Sequence, residues 1–162
     1  MLPLVGLLAL VLLAACAAPA SSPPTGEQPA DSEVTGTRVM TVYKSPTCGC
    51  CTDWVDYVEE HDYTVEVEMV DDIAVVKNEH NIPQSVWSCH TALVDGYIVE
   101  GHVPIAEIER LLTERPAVMG IAVPRMPIGS PGMEIAGSPA EPFDVVTFDT
   151  TGITEVFASY PQ

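Results

Sequence analysis

With 162 residues the chain has room for one folded domain and little else. Six Lys and Arg stand against 23 Asp and Glu, a formal charge of −17. Such a chain repels nucleic acid and anionic lipid surfaces, so neither is expected as a charge-driven partner.

The first fifteen residues, "MLPLVGLLALVLLAA", carry no charge and end at Cys16. A membrane span needs ~20 apolar residues, so the run reads as the core of an export signal. "LAAC" (Leu13 to Cys16) resembles the lipobox of bacterial lipoproteins, in which the cysteine is lipidated. No Lys or Arg precedes the apolar run, which departs from that pattern, and a plain signal peptide is the alternative. Residues 17–36 are rich in Pro, Ser and Ala without apolar periodicity, as a solvated tether would be. The expected organisation is a lipoprotein signal over 1–16 ending in lipidated Cys16, a linker over 17–36, and a folded domain over 37–162. The expected location is outside the cytoplasm, periplasmic or at the cell surface, with a lipid anchor in a membrane.

Within the domain, "RVMTVYK" (38–44) is β-branched enough for a buried strand. "CTDWVDYVEEH" (51–61) sets Trp54, Val55 and Val58 at helical spacing. "YTVEVEMV" (63–70) alternates as a strand, with Val65, Val67 and Met69 on one face. "DDIAVVKNEHNIP" predicts a short helix stopped before Pro83. "TALV-DG-YIVEG" predicts a hairpin across an Asp-Gly turn, and "PIAEIERLLTE" (104–114) a helix with Ile105, Ile108, Leu111 and Leu112 on one side. The order β-α-β-α-β-β-α is that of a thioredoxin-like α/β domain, a mixed sheet flanked by helices. "RPAVMGIAVPRMPIGSPGMEIAG", dense in Pro and Gly, is expected to be a loop without regular structure. "FDVVTFDTTGITEVFASY" reads as an extra C-terminal β-hairpin about Thr151-Gly152.

"SPTCGCCTDW" places Cys48, Cys50 and Cys51 between the first strand and the first helix. There, free backbone N–H groups and the helix dipole favour thiolate, which suits redox chemistry and metal binding alike. Cys48 and Cys51 form a C-x-x-C, but Cys50 offers a competing partner, which counts against a simple oxidoreductase. Cys89, just before the third strand, stands in the loop that faces C-x-x-C in thioredoxin-like folds, so four sulfurs can converge. Zinc is the default for four thiolates. Cys50 and Cys51, however, are adjacent and project about 100° apart on a helix, which strains a single tetrahedral focus. Bridged copper(I) tolerates that spacing better, as a small multinuclear thiolate cluster.

His102 and His90 are weaker candidate ligands, as are Met126 and Met133 at the ends of "RMPIGSPGME". Hydrogen-bonded strand-end histidines and loop-packing methionines are the plainer readings of those four. Met40, Met69 and Met119 are expected in the core, and His61 and His80 in solvent.

"YKSPTCGCC-DW", "SCHTALVDGYIVEGHVP", "MGIAVPRMPIGSPGME" and "FDVVTFD--G-T-VFASY" resemble the exported bacterial copper-resistance proteins of the CopG type, long catalogued as a domain of unknown function. The resemblance spans about residues 38–160. It implies a thioredoxin-like fold, a multinuclear copper cluster held by Cys48, Cys50, Cys51 and Cys89, and a periplasmic role in copper tolerance. Two functions follow as expectations. The preferred one is an exported protein that binds copper(I) and keeps it or passes it between a donor and an acceptor protein. The alternative is a thiol–disulfide oxidoreductase using Cys48 and Cys51.

Overall fold

The computed structural model describes residues 38–161. The signal, Cys16, the tether and Thr37 lie outside the described residues. The described chain runs β1 (Arg38–Lys44), α1 (Gly49–Glu59), β2 (Tyr63–Met69), α2 (Ile73–Glu79), β3 (His90–Val94), β4 (Tyr97–Glu100) and α3 (Ile105–Glu114). Three further strands follow: β5 (Gly120–Ala122), β6 (Phe143–Asp149) and β7 (Gly152–Tyr160). All seven strands form one mixed sheet in the order β2-β1-β3-β4-β5-β6-β7. β1/β2 and β4/β5 are parallel, and the other neighbours antiparallel. The fold is α/β, and the C-terminal hairpin continues its sheet.

One face of the sheet buries Met40, Val42, Ala92 and Val99 against Trp54, Val55 and Val58 of α1 and Ile108, Leu111 and Leu112 of α3. These are the helix residues that the 3.6-residue spacing selects. Burying each large apolar side chain stabilises the fold by about 1.5–3 kcal/mol. The opposite face gathers Ile82, Val86, Ile98, Ala122, Val146 and Phe148. The β3–β4 turn takes left-handed backbone at Asp95 (φ 48°) and Gly96 (φ 84°), the conformation an Asp-Gly hairpin requires.

Three expectations are corrected. The Pro/Gly-rich segment is not wholly irregular, because β5 lies inside it and joins the C-terminal hairpin to the sheet. Three residues are too few to show periodicity, and all three are buried, so no apolar–polar alternation marks them. Gly120 is required there, since a Cβ would collide with the Ile98 carbonyl. Met69 is not core but 58 % exposed, because β2 is an edge strand with its far end uncovered. Finally, α1 starts at Gly49 rather than Cys51, so Cys50 and Cys51 occupy its first turn and Cys48 its N-cap position.

The hairpin is fastened to α3. The Arg110 guanidinium lies 3.5 Å over the Phe157 ring and donates to the Phe157 carbonyl at 2.7 Å. Tyr160 donates to Glu107 at 3.0 Å and stacks on Phe143 at 4.7 Å. No helix among the described residues is long and apolar enough to cross a membrane.

Candidate metal centre

β1 ends at Lys44, and Ser45–Thr47 turn the chain into α1, whose N-terminus therefore opens at the end of the sheet where β3 begins. Cys48 has extended backbone and no side-chain cap, and no acidic residue stands in the first turn of α1. The positive end of the helix is thus left to the sulfurs. Cys48 and Cys51 are joined by a disulfide with their Cα atoms 5.3 Å apart. Cys50 and Cys89 are free, and the Cys50 sulfur lies 3.6 Å from that of Cys48. All four Sγ atoms lie within 4.8 Å of one another, although Cys89 stands far along the chain from the other three.

Cys89 also belongs to a second group with His90 and His102, whose donor atoms again lie within 4.8 Å of one another. His102 Nε2 is 3.0 Å and His90 Nδ1 3.4 Å from the Cys89 sulfur. Both imidazoles are fully buried. The His90 ring packs at 4.4 Å on Trp54 and edge-on at 5.0 Å to His102, and its Nε2 is buried without a partner. His102 Nδ1 meets the Pro131 carbonyl at 2.8 Å. A carbonyl only accepts, so Nδ1 carries the hydrogen and the Nε2 lone pair faces Cys89.

Burial sets the charge states. It holds both histidines below the usual imidazole range, His90 further because His102 and Lys77 add to the effect. Both rings are therefore neutral and able to donate lone pairs. Burial, with Cys50 close by, pushes the Cys89 thiol up to about 12. Without a cation Cys89 is a protonated thiol at neutral pH and a poor nucleophile.

The Pro/Gly loop closes over this end of the molecule. Gly132 (φ +78°) packs on the first turns of α1, where a Cβ would lie 2.7 Å from the Trp54 nitrogen and 3.0 Å from the Cys50 carbonyl. Met133 follows it, half-buried, with its amide on the Ser130 carbonyl at 2.8 Å. Met126 has a different setting. It is exposed on an open groove of about 890 Å³ shared with Pro124, Glu141, Phe143 and Ile153, none of them a sulfur or imidazole donor. His61 is exposed, with Nδ1 2.7 Å from the Tyr57 carbonyl; His80 is partly covered, its ring 6.3 Å from that of Tyr43.

Sequence reasoning missed Lys77 and Glu100. They form an ion pair beside Cys89 in which both side chains are at most 1 % exposed. The one available signal was position: "YIVE" places Glu100 on the same sheet face as Ile98, where alternation calls for an apolar residue.

A family model described as "Protein of unknown function, DUF411" matches residues 86–133, from the approach to Cys89 to Met133 in the loop over α1. A search of curated protein sequences finds no match. Two solved structures are similar along most of the chain, titled "Copper resistance protein copG- Form 2" and "Copper resistance protein copG- Form 1". Each is 41 % identical and covers 76 % of this chain and 98 % of its own, with TM-scores of 0.71 and 0.70. With that identity carried over nearly the whole length of both structures, this chain belongs to the CopG family of copper-resistance proteins.

Proposed function

We propose that the protein binds copper(I) through Cys48, Cys50, Cys51 and Cys89, as a small thiolate-bridged cluster, and holds it for copper tolerance or transfer. The observation that carries this reading is the convergence of four sulfurs within 4.8 Å, with two buried neutral imidazoles against the fourth. That is more soft donor capacity than one tetrahedral zinc can use, and it suits several low-coordinate copper(I) ions. His102 is the first additional ligand, its Nε2 lone pair being aimed at the sulfur group, and His90 the second. Met133 stands close enough in the chain to Gly132 to join them, whereas Met126 is the weakest candidate.

Loading requires the Cys48–Cys51 bond to be open. A dithiol reductant supplies the two electrons and two protons that yield the two thiols, and is itself oxidised to a disulfide. Each thiol then loses its proton on binding the cation. The placement of these cysteines at a helix N-terminus fits such a cycle. We place the protein outside the cytoplasm, anchored through lipidated Cys16, with a copper donor or acceptor protein as its partner.

The Cys48–Cys51 disulfide favours one second reading, a thiol–disulfide oxidoreductase. Metal content after anaerobic copper(I) loading separates the two. Bridging predicts several copper ions per chain and a collapse of that number in Cys89→Ser and in Cys50→Ser. Wild-type loading in Cys50→Ser, together with catalytic turnover of a test disulfide in metal-free protein, would establish the oxidoreductase instead. The anchor has its own test: wild-type protein partitions into detergent with an acylated N-terminus, and Cys16→Ser does not. A mature, unacylated N-terminus at another residue rules the anchor out.

A further inference from the structure

The segment that carries Cys89 lies between two buried layers. On one side His90 packs against Trp54. On the other, among residues that share the Ile98 face, lies the Lys77–Glu100 pair. Glu100 Oε1 accepts from the Ser88 amide at 2.7 Å, immediately before Cys89. Lys77 Nζ donates to the His90 carbonyl at 3.4 Å, immediately after it, and to Thr91 Oγ1 at 2.9 Å. Thr91 in turn donates to Glu100 Oε2 at 2.7 Å. Every side-chain polar contact of the pair other than its own ion pair therefore falls on Ser88, His90 or Thr91.

A buried ion pair is weak evidence for stability, because well-packed apolar residues often serve a core as well or better. What Lys77 and Glu100 provide, and an apolar pair cannot, is an acceptor for the Ser88 amide and a donor to the His90 carbonyl. This chain has six lysines and arginines, and of those described Lys77 is the most deeply buried, at 1 % exposed beside 3 % for Lys44. We propose that Lys77 and Glu100 are positioning residues of the metal centre, clamping the backbone on both sides of Cys89 so that its sulfur meets the three sulfurs at the N-terminus of α1. Cys48, Cys50 and Cys51 need no such device, because the helix fixes them. Cys89 stands outside regular structure, one residue before β3.

The inference rests on the reading of Cys89 as a copper ligand, so its test has one arm with copper and one without. Lys77→Met/Glu100→Gln removes both charges and keeps an acceptor for Ser88, while Lys77→Met/Glu100→Met removes the acceptor too. In reduced, metal-free protein, iodoacetamide modification of Cys89 is followed relative to Cys50 by peptide mass spectrometry. The clamp predicts a severalfold faster relative rate in the Met/Met variant than in the Met/Gln variant, and copper(I) affinity lower by about 10–100-fold. Equal alkylation rates and equal copper affinity in the two folded variants overturn it. Faster alkylation with unchanged copper affinity supports the clamp and removes Cys89 from the ligand set. Should the Met/Met variant not fold, Thr91→Val decides, since it keeps the side-chain shape and removes two bonds of the network. Faster Cys89 alkylation in Thr91→Val supports the clamp, and wild-type alkylation and affinity overturn it.

Discussion

At the cysteine end of the sheet, fully buried positions go to His90, His102, Lys77 and Glu100, whereas β6 fills its buried positions with Val145, Val146, Thr147 and Phe148. The two regions belong to one sheet and are built on opposite terms. The first buries ionisable groups, each of which is costly unless it is partnered. The second buries apolar area, and fastens itself to α3 through Arg110 and Tyr160 near the surface. Stability accumulates in the core and the hairpin, and is spent at the centre on holding donors in place. Between the two regions runs the Pro/Gly loop. One end continues from β5 and the other enters β6, so the C-terminal strands secure the loop whose Pro131 carbonyl orients His102.

The strongest way to break the contrast is to leave a charge alone in the first region. Glu100→Ala strands the Lys77 ammonium in a site with almost no solvent, and removes the acceptor of the Ser88 amide. The expected loss of stability is about 3–5 kcal/mol, read as a fall in the denaturant midpoint. A near-wild-type midpoint would mean that water reaches Lys77 and that the pair is not truly buried.

Gly132→Ala attacks the connection between the regions. Its backbone is left-handed and its missing Cβ faces the Trp54 amide nitrogen, so the loop must lift away from α1. Strain of about 1–3 kcal/mol is expected in stability. The larger consequence is at the centre, because a displaced loop withdraws the Pro131 carbonyl from His102. Weaker copper(I) binding with a modest shift in thermal midpoint is the outcome to look for. Copper affinity untouched by a measurable destabilisation would show that the loop covers the centre without organising it.

How far the centre could be read beforehand follows from the range of each signal. Cys48, Cys50 and Cys51 announce themselves by spacing, and Cys89 by standing where a strand opposite the helix N-terminus must begin. The helical faces were legible because α1 and α3 bury long apolar stripes. β5 was not, because three fully buried residues carry no period, and the edge exposure of Met69 depends on strand order, which alternation does not encode. Lys77 sits in "IAVVKNE" as an ordinary solvated lysine would, and its meaning appears only when α2 packs it against Glu100. The likeness of the sequence to copper-resistance proteins pointed to the four thiols. The orientation of His102 by a loop carbonyl 29 residues further on is a tertiary contact that no local pattern encodes.

The hairpin supplies the opposite control. Arg110→Ala removes a cation over the Phe157 ring and a donor to its carbonyl, at an expected cost of about 0.5–2 kcal/mol. Copper loading should stay at the wild-type value, since Arg110 touches nothing at the centre. Loss of copper with this variant would show that the two regions are coupled more tightly than their separate contacts indicate.

The smallest effect, and the sharpest, comes from separating the two methionines that bracket the loop. Leu for Met conserves volume and usually costs under about 1.5 kcal/mol, so neither single variant should alter folding much. Met126 is exposed on the groove beside Phe143 and Ile153, whose lining holds no cysteine and no histidine. Met133 adjoins Gly132, which rests on the turn of α1 that carries Cys50. If thioether assists the entry of copper, Met133→Leu should slow or weaken copper(I) exchange with a chelator while Met126→Leu leaves it unchanged. Equal exchange in both would return Met133 to loop packing. A larger effect from Met126 would place the entry route on the groove, on the side of the molecule that the hairpin builds.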